Sequence, residues 1–207
     1  MKILYATNQS FFPVTSSELL SGDGEVKHFK GFFSPAESDV YFEALLKNVD
    51  WKQRPIRIFG KEVMQPRLTA SFADKGVNYG YSGVQLRSAG WSRPLSGIKK
   101  SCEEFTGLHF NTALLNLYRN GNDYMGWHRD NEKSLGVDPA VLSISFGARR
   151  IFQLRRYDSK KERVTLELGH GDMLLMTGPV QKFWEHRLPR VAGLMQARIN
   201  ITFREVV

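Results

Sequence analysis

The run Arg198-Ile-Asn-Ile-Thr-Phe-Arg204 alternates polar and apolar residues without a break. That is the period-2 signature of a strand whose two faces meet different surroundings. Ile199, Ile201 and Phe203 fall on one face, and Arg198, Asn200, Thr202 and Arg204 on the other. A polar face carrying two guanidiniums has two readings. It is a solvated sheet surface, or it looks inward and holds a dicarboxylate through bidentate arginine contacts. A dozen residues upstream stands His186, and before it the tripeptide His128-Arg129-Asp130. On a strand, residues i and i+2 share a face, so His128 and Asp130 can reach one metal from one segment, while His186 must arrive from another. Two imidazoles and one carboxylate form the facial triad that leaves positions open for non-haem Fe(II) chemistry. Taken singly, a His-x-Asp tripeptide arises by chance and a lone His is an ordinary polar residue; the combination points to iron with a co-substrate clamp.

Length and composition suit one catalytic domain, 1–207, with 42% hydrophobic residues and no shift in composition along the chain. The single cysteine, Cys102, excludes an intrachain disulfide and sits among Leu95, Ile98 and Phe105 at helical spacing, as a buried structural residue would. The first residues lack the apolar run of a signal peptide, and no stretch is long enough to span a membrane. A soluble intracellular monomer is expected, cytoplasmic in a bacterium or nuclear in a eukaryote. With 29 basic against 21 acidic residues the net charge is +8, which favours a polyanionic partner. Two basic segments stand out: Lys52, Arg54, Arg57, Lys61 and Arg67, and then Arg149, Arg150, Arg155, Arg156, Lys160, Lys161 and Arg163. Each is either a solvated face or part of a phosphate-backbone track.

Residues 1–25 read as a loose segment with one short strand. Ser34-Pro35-Ala36-Glu37 is a helix start with a capping Ser, Pro in the first turn and Glu at the capping-box place, and it directs Leu45, Leu46 and Val49 to the core. A second helix is predicted from near Pro94 to before Gly107. Thereafter short apolar or alternating runs predict strands at Leu114–Tyr118, Val141–Phe146, Arg150–Leu154, Val164–Leu168, Met173–Met176 and Arg198–Phe203. Helices first and strands after give an α+β protein. Gly169-His170-Gly171-Asp172 reads as a hairpin turn rather than a metal site, and Trp127 and Trp184 as packing beside the ligands.

The segments Asn116-Leu-Tyr118 to His128-Arg-Asp130-Asn131-Glu132, Ser143-Ile-Ser-Phe-Gly147, Gly169-His-Gly-Asp172 and Arg198 to Arg204, in this order, resemble the AlkB family of Fe(II)- and 2-oxoglutarate-dependent nucleic-acid dioxygenases. The likeness runs from about Phe59 to Arg204 and is nearest to the DNA-repair members with a hairpin wedge. It implies a double-stranded β-helix, or jelly roll, over 110–207, with N-terminal helices and a nucleotide-recognition lid over 52–92. It implies Fe(II) on His128, Asp130 and His186, which are also the catalytic set. For 2-oxoglutarate it implies Arg198 at the far carboxylate, Arg204 and Asn200 around the near one, Asn116 and Tyr118 completing the pocket, and Thr202 in the same binding set. For an alkylated base in DNA it implies Phe59 as wedge beside Gly60, Lys61 and Arg67 at phosphates, Tyr81 and His128 sandwiching the flipped ring, Tyr79 at the ring or its phosphate, and Asn131 with Glu132 at the base. Glu132 also continues the i, i+2 series of the ligands, or is a structural acid. The implied reaction is oxidative demethylation of 1-methyladenine and 3-methylcytosine type lesions, with release of succinate, CO2 and formaldehyde. The alternatives are an oxygenase acting on RNA or protein, and a catalytically silent nucleic-acid-binding module.

Overall fold

Seven strands hydrogen-bonded on both edges, five in a large sheet and two in a small one, decide what this chain can enclose. The computed structural model describes residues 17–18, 20, 23–58, 61–77, 79–81, 84–86 and 90–207, with backbone alone at 17–18, 57–58, 79–81 and 84–86. The elements begin with β1 (Ser17–Glu18), β2 (Glu25–Phe29), α1 (Pro35–Asn48), β3 (Pro55–Ile58), β4 (Lys61–Met64), β5 (Leu68–Ala73), β6 (Tyr79–Tyr81), β7 (Val84–Leu86) and α2 (Arg93–Thr106). They continue with β8 (Thr112–Tyr118), β9 (Met125–His128), β10 (Val141–Gly147), β11 (Arg150–Arg156), β12 (Arg163–Leu168), β13 (Met173–Thr177), the short α3 (Val180–Phe183), β14 (Trp184–Leu188) and β15 (Arg198–Arg204). A seven-stranded sheet runs β1-β2-β13-β10-β15-β8-β5, and a four-stranded sheet runs β12-β11-β14-β9, with every pairing antiparallel. This is the expected jelly roll with helices in front of it in the chain.

Alternation explains the layering. On the large sheet, Leu115 and Leu117 of β8, Ile144 and Phe146 of β10, and Ile199, Ile201 and Phe203 of β15 join one apolar cluster with Leu45 of α1 and Leu95, Ile98 and Cys102 of α2. Each such side chain contributes about 1.5–3 kcal/mol by leaving water. A second cluster fills part of the space between the sheets, with Val141, Leu174 and Met176 from the large sheet against Phe152, Leu154, Leu166 and Trp184 from the small one. The opposite faces of β8, β10 and β15 are therefore turned away from the helices and toward the small sheet.

Both helices begin and end as their residues dictate. Ser34 and Glu37 close a capping box on α1, and α2 ends at Gly107, whose φ of 71° lies in the left-handed region open to glycine. Leu45 is buried and Val49 packs against the core, but Leu46 is exposed, because the stripe of α1 facing the sheet is too narrow to include it. The 52–92 segment divides. β3–β4 and β6–β7 form separate two-stranded hairpins, whereas β5 pairs along its whole length with β8 and places Ala70 and Phe72 in the main core. The jelly-roll sheet therefore also draws on residues before 110, namely β5, β2 and β1. No helix among the described residues is long and apolar enough to cross a membrane.

Candidate active site

His128 ends β9 and His186 lies on β14, and the two are register partners across the small sheet. With Asp130 they bring one ligand atom each to within 4.8 Å of one another. The Nδ1 of His128 lies 2.9 Å from the Gly126 carbonyl. A carbonyl can only accept, so Nδ1 carries the hydrogen and Nε2 keeps its lone pair for a metal. In His186, Nδ1 is buried without a hydrogen-bond partner. Burial pushes the His128 imidazole below its usual range. For His186, burial together with the neighbouring His128 takes it down to about 3, so both rings are neutral and ready to ligate. Burial by itself would raise Asp130. The Arg204 guanidinium, whose Nη2 donates to Asp130 Oδ2 at 2.9 Å, and the two imidazoles outweigh it and hold the carboxyl at about 2.

The strand argument for this triad holds only in part, since β9 stops at His128 and Asp130 lies beyond it. What holds Asp130 is side-chain contact: Arg204 on its carboxylate, and Gln181, whose Oε1 accepts the Asp130 backbone N–H at 2.9 Å. Nothing in the sequence marks Gln181, which stands in no motif. Glu132 likewise does not continue a strand. It precedes a single 3-10 turn over Lys133–Leu135.

The triad lines a cavity walled by both sheets, and all six residues expected at the co-substrate, Asn116, Tyr118, Arg198, Asn200, Thr202 and Arg204, line it as well. Strand register brings them together: Asn200 pairs with Asn116 on one side and Ser145 on the other, and Arg198 with Tyr118. Arg198 is 2% exposed, and its Nη2 donates to Ser145 Oγ at 2.8 Å. Its Nε is buried without a partner, and burial lowers the guanidinium to about 10. Asn200 donates from Nδ2 to Ser143 Oγ and the Ile144 carbonyl, while its Oδ1 accepts from Thr202, a closed network that stiffens this wall.

Several other residues stand elsewhere than their motifs suggested. Arg67, expected at a phosphate, is 2% exposed and donates from Nε to Asn116 Oδ1 at 2.7 Å, so it supports the cavity wall from inside. Lys61 and Asn131 are exposed, and Glu132 is half-buried. Phe59 and Gly60 lie outside the described residues, as do the side chains of Tyr79 and Tyr81 on the backbone strand β6. The second basic segment is largely consumed by partners. Arg155 and Lys160 share Glu185, Arg156 binds Asp23 and Asp158, and Arg149 pairs with Glu167. Arg150 is 1% exposed and donates to the carbonyls of Asn120, Asp123 and Pro189. It thereby clamps two loops that also meet at Gly121, where a Cβ would collide with the Val191 carbonyl oxygen. Trp184 is core, whereas Trp127 lies half-buried between the Arg155 and Arg187 guanidiniums. The His170 ring accepts the Gly147 N–H, which ties its turn to the end of β10.

Residues 25–204 match the 2OG-Fe(II) oxygenase superfamily. The chain is 40% identical over 185 residues to bovine alpha-ketoglutarate-dependent dioxygenase alkB homolog 3, covering 85% of this chain and 64% of that protein. It is 34% identical over 198 residues to mouse DNA oxidative demethylase ALKBH2, covering 91% and 83%. The chain belongs to the AlkB family of 2OG-Fe(II) oxygenases. It spans just under two thirds of the length of the bovine AlkB relative. The solved structure of OsALKBH1 superposes with a TM-score of 0.60 at 19% identity, over 90% of this chain and 99% of the other, which shows the shared fold. The AlkB cofactor and co-substrate fit this cavity on its own terms. Three convergent ligand atoms and an unpaired imidazole nitrogen suit Fe(II), and a buried, incompletely partnered guanidinium suits a carboxylate of 2-oxoglutarate.

Proposed function

We propose that this protein removes methyl groups from N-alkylated bases of the 1-methyladenine and 3-methylcytosine type in DNA, converting 2-oxoglutarate and O2 to succinate and CO2 and releasing the methyl carbon as formaldehyde. The observation that carries this reading is Glu132. Its Oε2 is buried without a hydrogen-bond partner, and burial, followed by the charge of Asp130, raises its carboxyl above the usual range. A carboxyl in that setting is stabilised by a cationic or strongly donating partner, and both lesions are cations where the unmodified bases are neutral. The names of the two curated relatives agree with this reading.

Fe(II), 2-oxoglutarate and O2 together supply the oxidation of the N-methyl carbon when bound. Everything else falls to the chain. His128, Asp130 and His186 hold the metal; Arg198 with Ser145 takes the far carboxylate; Arg204, Asn116 and Tyr118 orient the near end. Leu114, Met125, Phe152, Met176 and Leu188, which line the same cavity, keep water from the reacting carbon. Once the carbon bears a hydroxyl, the O–H proton passes to water, the C–N bond breaks with its electron pair going to the ring nitrogen, the carbon leaves as formaldehyde, and the base loses its charge. Its hold on Glu132 weakens accordingly.

A base inside a duplex is out of reach of a cavity this deep, so it is flipped or taken from a single strand. In this reading β3 and β4 carry the duplex function: Ile58 pairs with Lys61, Phe59 between them acts as the wedge, and exposed Lys61 meets a phosphate. Tyr79 and Tyr81 face the flipped ring, and Asn131 stands at its edge. Alkylated DNA is then the partner, and the compartment is an intracellular one that holds DNA. The test is incubation with Fe(II), 2-oxoglutarate and O2 and single- or double-stranded oligonucleotides carrying one 3-methylcytosine, with methyl loss read by mass spectrometry alongside succinate. Demethylation that needs all three reagents is expected. Succinate without demethylation of DNA would move the substrate to RNA or protein, and the absence of both products would leave a binding module.

A further inference from the structure

Asp130 is the metal ligand that secondary structure supports least. His128 and His186 are fixed as register partners on adjacent strands, whereas Asp130 lies past the end of β9 and before the 3-10 turn. Ladder bonds do not reach it. Its carboxylate is held by Arg204 at 2.9 Å and its backbone by Gln181 at 2.9 Å. Gln181 is 1% exposed. A backbone N–H can only donate, so the amide must present its oxygen to Asp130. That leaves its NH2 group facing the Met176 sulfur at 3.6 Å, a weak acceptor. The side chain is thus oriented for the oxygen contact at the expense of its own donor. Gln181 also sits on α3, which runs directly into β14 and His186. One hydrogen bond therefore ties the segment carrying Asp130 to the segment carrying the distal imidazole.

We propose that Gln181 is a positioning residue for the metal centre: it touches no metal, but by holding the Asp130 backbone it sets the spacing of His128, Asp130 and His186 for a single ion. Partners of this kind behind the ligands typically change metal affinity by about 10- to 100-fold when removed. The proposal rests on the iron centre and not on the demethylase reading, so it is tested without nucleic acid.

The experiment is anaerobic titration of the metal-free protein with Co(II), read by ligand-field absorption and by calorimetry. Gln181→Met keeps the length and removes the acceptor, and its Co(II) affinity is expected to fall about 10- to 100-fold, with an altered absorption band. Gln181→Glu keeps an oxygen opposite the Asp130 N–H and should bind within about threefold of wild type, since the positioning contact survives. Val180→Ala removes buried methyls from the neighbouring position in the second core cluster. It should lower Tm while leaving Co(II) affinity unchanged, which separates positioning from general destabilisation. Wild-type Co(II) binding by Gln181→Met would overturn the proposal, and so would equal weakening in the Met and Glu variants. Should Gln181→Met fail to fold, Gln181→Glu decides in its place: affinity kept supports the proposal, affinity lost overturns it.

Discussion

β15 and β11 are both arginine-bearing strands, one in each sheet, yet their cations do opposite things. On β11, Arg150 donates to three carbonyls, Arg155 pairs with Glu185, and Arg156 pairs with Asp23 and Asp158. These guanidiniums hold loops and strands in place. On β15, Arg204 faces Asp130 of the triad, and Arg198 is buried with only a serine hydroxyl at Nη2 and no acceptor at Nε. A buried cation without an anion is costly unless something arrives to meet it. The contrast separates charge used to build the protein from charge kept for a ligand, and the two are indistinguishable by composition.

Variants of the charged partners sharpen that contrast, beginning with the largest effect. Asp130→Ala takes away a metal ligand and the acid facing Arg204 together, so iron-dependent 2-oxoglutarate turnover should be abolished, as a succinate assay would read; activity near wild type would remove the triad. Arg198→Met should raise the KM for 2-oxoglutarate by about 100-fold, equivalent to about 2.8 kcal/mol. Because an unpaired buried cation is replaced by an apolar chain, its Tm should hold or rise. A fall in Tm with unchanged KM would put Arg198 in the structural class with Arg150. Arg150→Met should do the reverse, costing about 2–4 kcal/mol of stability in urea unfolding as its carbonyls lose their donor.

A pH titration of the metal-free protein probes the neutral imidazoles. Burial depresses both, His186 to about 3, whereas an unfolded His titrates near pH 6.5. Below that value the unfolded chain binds protons that the native state refuses. Stability should therefore be flat above pH 7 and fall as pH drops, by up to about 1.4 kcal/mol per unit for each ring. A profile unchanged down to pH 5 would show that the rings are charged in the native state. Last, Arg155→Ala breaks a part-buried ion pair but leaves Glu185 its Lys160 partner, and should cost about 1 kcal/mol.

How much of this was readable beforehand follows from how local each signal is. The alternation of 198–204 stated the strand, though not whether its polar face is solvated or inward, and the spacing of Leu95, Ile98 and Cys102 stated α2, because both are set by one segment's own period. β9 was legible only through the strand spacing of His128 and Asp130, which overran its end, and β14 went unseen: each is short, and Gly126 or Glu185 breaks the pattern. The burial of Arg67 and Arg150 was invisible for a different reason. Their acceptors, Asn116 in one case and three loop carbonyls in the other, are remote in the chain, so only the folded register creates the site that accepts a guanidinium. Gln181 belongs with them, since its partner Asp130 lies 51 residues away.

β15 is buried at every one of its seven positions, apolar side chains toward the helices and polar ones toward the cavity. An ordinary strand with one wet face offers evolution a free residue at each second place. This one offers none, so co-substrate preference and thermal tolerance are written in the same seven letters and cannot drift apart. Saturation mutagenesis across it should leave an unbroken intolerant block, where a surface strand would leave a comb.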